Sequence, residues 1–81
     1  MLANFPNPFT WQTTIPFVLP AACNASLRVY DVTGRVLAVV KGHYASGPHQ
    51  VLFDFNGIDV HGVLFYDLTT PFGVETRKMV R

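Results

Sequence analysis

The stretch LRVYDVTGRVLAVV, from Leu27 to Val40, reads as two strand-like runs pivoting on Asp31-Val32-Thr33-Gly34-Arg35. Gly34 supplies the positive φ that a tight reversal needs, and the flanking β-branched and aromatic residues suit a pleated, half-buried surface. The stretch predicts a β-hairpin. The rest of the chain repeats the same grammar of short strands and turns.

Working outward, Thr13 to Leu19 alternates, with Ile15, Phe17 and Leu19 on one face and Thr14, Pro16 and Val18 on the other. Pro16 has no N–H for a ladder, which predicts a strand at a sheet edge. After Pro20 to Asn24, a strand over Ala25 to Asp31 sets Leu27 and Val29 against Arg28 and Tyr30, and Val36 to Lys41 returns across the turn. Gly42 to Pro48, with glycine at Gly42 and Gly47, reads as a loop. His49 to Phe55 alternates again, placing Val51, Phe53 and Phe55 on one face, and Asn56-Gly57 is a turn dipeptide. Val63 to Thr70 is apolar on both faces, which predicts a central strand covered from both sides. Pro71-Phe72-Gly73 then leads into a last strand, Val74 to Val80.

The lead-in, Asn4 to Phe9, is extended and proline-bearing, a candidate additional strand. No window carries helical spacing. These signals predict an all-β fold, a single antiparallel immunoglobulin-like β-sandwich of about seven short strands. Residues 1–12 form the lead-in and 13–81 the sandwich, with a small closed barrel as the alternative. Cys23 stands alone, so an antibody-type disulfide is excluded.

At 81 residues the chain is one small domain, and it is expected to bury only about 60–65% of its unfolded surface. Hydrophobic residues make up 49% of it, enough for one core. The longest apolar runs, such as Val36 to Val40, are too short to cross a bilayer, and no charged-then-apolar signal opens the sequence. A formal charge of +1 gives no long-range field to draw in nucleic acid. Arg77, Lys78 and Arg81 nevertheless crowd the last five residues, either as a basic edge that discourages aggregation or as a contact for an acidic partner.

Residues with reactive potential are sparse. His43, His49 and His61 lack short ligand spacing and a carboxylate to orient them, and Asp54 and Asp59 read as turn-forming, so no metal or cofactor is expected. Ser26, Ser46 and Cys23 sit in no nucleophile elbow, and no enzymatic activity is expected. Of the aromatic residues, Trp11, Tyr44 and Phe72 are the loop-borne candidates for stacking on sugar rings. A carbohydrate-binding module and a structural immunoglobulin-like spacer, resembling that of flagellar hook-capping proteins, are the competing readings.

Taken in order, the signals resemble the type A carboxy-terminal sorting domain of the type IX secretion system. The resemblance rests on five blocks. Asn4, Pro6, Asn7, Pro8 and Phe9 are followed by Thr13, Thr14, Ile15, Phe17, Leu19 and Pro20. Val29, Tyr30, Asp31, Gly34 and Arg35 form the second block, and His49, Val51, Phe53 and Asp54 the third. Gly62, Val63, Phe65, Tyr66 and Leu68 precede a terminal Lys78, Met79 and Val80. Thr10-Trp11-Gln12 and Asp67 depart from the pattern.

The resemblance implies a domain that carries an N-terminal cargo protein from the periplasm through an outer-membrane translocon, for secretion or attachment at the cell surface. Its partners would be the translocon and the sorting and cleavage machinery of Bacteroidetes and related bacteria. Candidate translocon contacts are Asp31, Gly34 and Arg35 in the turn and Lys78, Met79, Val80 and Arg81 at the end. For the turn, the structural alternative is an aspartate capping backbone amides with the arginine packed beside it. Pro16 and the basic terminus discourage edge pairing, so a monomer is expected.

Overall fold

Apolar alternation punctuated by turn residues gives six strands: β1 (Gln12–Leu19), β2 (Cys23–Asp31), β3 (Val36–Tyr44), β4 (Gly47–Asp54), β5 (Val63–Thr70) and β6 (Gly73–Val80). The computed structural model describes residues 1, 3–9 and 11–81, and over these the chain is an immunoglobulin-like antiparallel β-sandwich. Thr10, named above as a departure, lies outside the described residues. Hairpins β2–β3 and β5–β6 join through the β2·β5 pair into a four-stranded sheet of order β3-β2-β5-β6, and β1 pairs with β4 in a second sheet.

The core lies between the sheets. Ile15, Phe17 and Leu19 of β1 and Phe53 of β4 belong to one buried cluster with Leu27, Val29, Leu64, Tyr66, Leu68 and Met79 of the larger sheet. Each such side chain contributes about 1.5–3 kcal/mol on burial. In a domain this small, one truncation therefore removes a large share of the net stability. Among the described residues, no helix is long and apolar enough to cross a membrane.

Pro16 lies opposite Gln50 in the two-stranded sheet, where each strand has an outer edge, as its missing N–H requires. The lead-in contributes a bridge and not a seventh strand. Phe5 and Thr14 exchange both backbone hydrogen bonds, at 2.9 and 2.8 Å. The next amide of β1 that faces the lead-in, two residues beyond Thr14, is that of Pro16, which has no N–H with which to extend the ladder. Three residues beyond Pro6, the Phe9 N–H donates to the Val80 carbonyl at 3.0 Å. The lead-in thus spans from the edge of β1 to the end of β6.

Two expectations need correction. The predicted Gly42 to Pro48 loop shrinks to Ala45 and Ser46, because β3 runs on to Tyr44 and β4 begins at Gly47. Gly42 is a strand residue whose missing side chain gives the Tyr44 ring room: a Cβ there would stand 3.3 Å from it. Tyr44 in turn meets Phe17 edge-on, with centroids 5.4 Å apart, and packs on His49.

Strand β5 is central by hydrogen bonding, but it is covered on one side only. Leu64, Tyr66 and Leu68 are buried between the sheets, whereas Val63 on the outer face is exposed. Phe65 on that face is shielded by the stacked Tyr30 ring, 5.7 Å away, and not by another layer.

Candidate functional site

The β2–β3 turn is built around one carboxylate. Asp31 Oδ1 accepts hydrogen bonds from Thr33 N at 2.9 Å, Thr33 Oγ1 at 2.6 Å and Arg35 N at 3.0 Å. Its Oδ2 faces Arg35 Nε at 3.2 Å. The Gly34 N–H donates to the Asp31 carbonyl, and Gly34 adopts φ 89°, the left-handed residue that completes this type of hairpin reversal. Nothing lies within 4 Å of where a Gly34 Cβ would stand, so the glycine is required by its dihedral and not by crowding. The Thr33 hydroxyl bond, reinforced by the Arg35 and Thr33 amides and the Arg35 guanidinium, holds the Asp31 carboxyl below its usual range. Arg35 keeps 63% of its side chain in solvent. The turn is therefore a preorganised loop that presents a guanidinium.

The terminal candidates divide among different environments, because successive strand residues face opposite ways. Lys78 is exposed on the outer face opposite Phe65, whereas Met79 is fully buried in the core. Val80 donates its N–H to Asn7 Oδ1 at 3.0 Å. Arg81 pairs its backbone with Gly62, reaches the Ile58 carbonyl with Nη1, and lies over the Phe55 ring. Of the four, Lys78 is the side chain open to a partner, and the segment is mainly a closing element of the fold.

The remaining candidates do not converge. His43 lies 3.0 Å from Asn24 Oδ1, His49 Nε2 lies 2.7 Å from the Ala45 carbonyl, and His61 stands near Asp59 in solvent. No group of three or more His, Cys, Asp or Glu among the described residues could hold a metal ion. Asp54 accepts from the Asn56 N–H in a turn. Cys23 is buried at the start of β2, Ser26 lies on the opposite face of that strand, and Ser46 lies between β3 and β4.

Trp11 precedes β1, whereas Tyr44 and Phe72 sit at the far end, where β1 finishes and β2 begins. An eight-residue strand, about 25 Å at the usual rise, separates them. These three aromatics form no common platform.

Two networks escaped sequence reasoning. The first joins the lead-in to the sheets: Asn4 N donates to Tyr66 Oη at 3.1 Å, and Asn4 Nδ2 donates to Thr13 Oγ1 at 2.9 Å. The second centres on Asp67, whose carboxylate accepts from Arg28 Nη2 at 2.7 Å, Tyr30 Oη at 3.0 Å and Thr76 Oγ1 at 2.7 Å. Burial pushes the Asp67 pKa up, but the bonds from Arg28, Thr76 and Tyr30 outweigh it, and the carboxyl sits below its ordinary value. The Arg28 guanidinium also lies 5.0 Å from the centre of the Tyr30 ring. Polar residues at alternate positions of β2 and the polar run Glu75 to Lys78 of β6 were the available signal, but the register that joins them to Asp67 is a long-range property.

No family model, curated protein or solved structure matches this chain.

Proposed function

We propose that this chain is a non-catalytic sorting domain that directs an attached N-terminal cargo protein through the outer-membrane translocon of a type IX secretion system. The observation that carries the reading is the ordered series of five motif blocks from Asn4 to Val80. The geometry supports it by giving several of those positions a joint physical task. Asn4 binds Thr13 and Tyr66, while Asn7 and Phe9 bind Val80, so residues far apart in sequence lock the start of the domain to its last strand. The Asp31–Arg35 turn, rigid and exposed, is the feature offered to the translocon. The cargo would pass through the periplasm and end in the medium or on the cell surface.

The test is to fuse residues 1–81 to a fluorescent periplasmic protein in a host with type IX secretion. Fluorescence outside the outer membrane supports the reading. A passenger retained in the periplasm, while a sorting domain already known to work in that host exports the same protein, overturns it.

A further inference from the structure

We infer that the outer face of the four-stranded sheet is a docking surface for an acidic, partly apolar protein segment. The registers place Val39, Arg28, Asp67 and Thr76 in one row across this face. The neighbouring rows carry Lys41 with Ser26, Thr69 and Val74, and Val36 with Tyr30, Phe65 and Lys78. Arg28, Lys41 and Lys78 thus share one face. Asp67, its one carboxylate among the described residues, is 6% exposed and already accepts three hydrogen bonds. The other acids lie elsewhere: Asp31 in the hairpin turn, Asp54 and Asp59 at and beyond the end of β4, and Glu75 at the β6 position opposite the inward-facing Leu68. Arg28 is paired with Asp67 at 2.7 Å, so the uncompensated charge that this face offers an acidic segment is that of Lys41 and Lys78.

The same face exposes apolar side chains. Val36, Val39 and Val74 are 45%, 46% and 63% exposed. A shallow groove lined by Ser26, Arg28, Val39, Lys41, Thr69 and Val74 runs over Asp67. Charge complementarity selects the occupant. A second copy laid face to face would oppose like cations, and a polyphosphate would leave the valines wet. Carboxylates interleaved with apolar side chains satisfy both halves of the surface. The surface has this character whether or not the domain sorts cargo.

The test is a titration of the isotopically labelled chain with a synthetic peptide of alternating glutamate and valine, followed by amide NMR shifts. Shifts centred on Val39, Lys41 and Val74, and binding weakened by about tenfold or more in a Lys41→Glu/Val74→Ser variant whose spectrum stays folded, support the proposal. No binding, equal binding of a lysine–valine peptide, unchanged affinity of the variant, or tighter binding to polyphosphate or anionic lipid vesicles overturns it. Shifts confined to the Asp31–Arg35 turn or to the β1–β4 sheet overturn it as well.

Discussion

Asn7 and Val80 are hydrogen-bonded across 73 residues of sequence, the Val80 N–H donating to Asn7 Oδ1 at 3.0 Å. With the adjacent Phe9 to Val80 backbone bond, this contact fastens the lead-in to the final strand. Asn7→Ala should cost about 1 kcal/mol, the usual net worth of one such bond. In a domain of this size, that lowers Tm by about 4–8 °C. Thermal denaturation followed by circular dichroism reads it directly, and an unchanged Tm would mean that the contact contributes nothing.

Asp67 makes stability depend on acid. Its folded pKa lies below the ordinary 3.8, so the stabilisation is present above that value and disappears as pH falls through the lowered folded pKa. Denaturant titrations from pH 2 to pH 7 should therefore show a weaker acid-induced loss for Asp67→Asn than for the wild type. Asp31, shifted in the same direction, leaves a residual acid dependence in the variant. At neutral pH, Asp67→Ala should cost about 1–3 kcal/mol, because Tyr30 and Thr76 lose their acceptor and Arg28 its counter-charge.

At the hairpin turn, backbone strain and recognition are separable. Gly34→Ala forces a side chain into φ 89° and should cost about 1–2 kcal/mol, whereas Gly34→Asn should cost less. Arg35→Ala removes an exposed pairing with Asp31, and its stability should change by less than about 1 kcal/mol. Loss of cargo export by Arg35→Ala at unchanged Tm would assign the guanidinium to translocon recognition. Normal export would leave the turn with a structural role alone.

Lys78 and Met79 should respond oppositely to truncation. Met79→Ala opens the core and should cost about 2–5 kcal/mol, while Lys78→Ala should lie within about 0.5 kcal/mol of the wild type. Equilibrium unfolding in urea discriminates the two. Removing residues 78–81 together would erase core, ladder and lead-in contacts at once, so an export assay on that deletion reports on folding. Lys78→Glu is the informative change for export.

Local patterning made most of the fold legible. The alternation around Leu27, Val29, Phe17 and Phe53 marks the buried faces, and Asp31 to Arg35 marks the turn, because both depend on neighbours within a few residues. Gly42 misled, since a glycine that admits the Tyr44 ring looks in sequence like one that turns the chain. Asp67 was visible only as a departure from the sorting-domain pattern that the sequence resembles. Its partners Arg28 and Thr76 reach it through strand register, which short-range spacing does not encode. The same limit hid Asn4, whose contacts with Thr13 and Tyr66 required the lead-in to be placed.

The lead-in has a mechanical consequence. A pull applied ahead of Asn4 and resisted at Arg81 would load the contacts of Asn4, Phe5, Asn7 and Phe9 and, through Val80, the end of β6. A few hydrogen bonds, loaded one after another, make a soft first yield point. Behind it, β1 would have to part from β4 and β6 from β5, so the domain should give way under tension in two stages, a small early release and a larger late one.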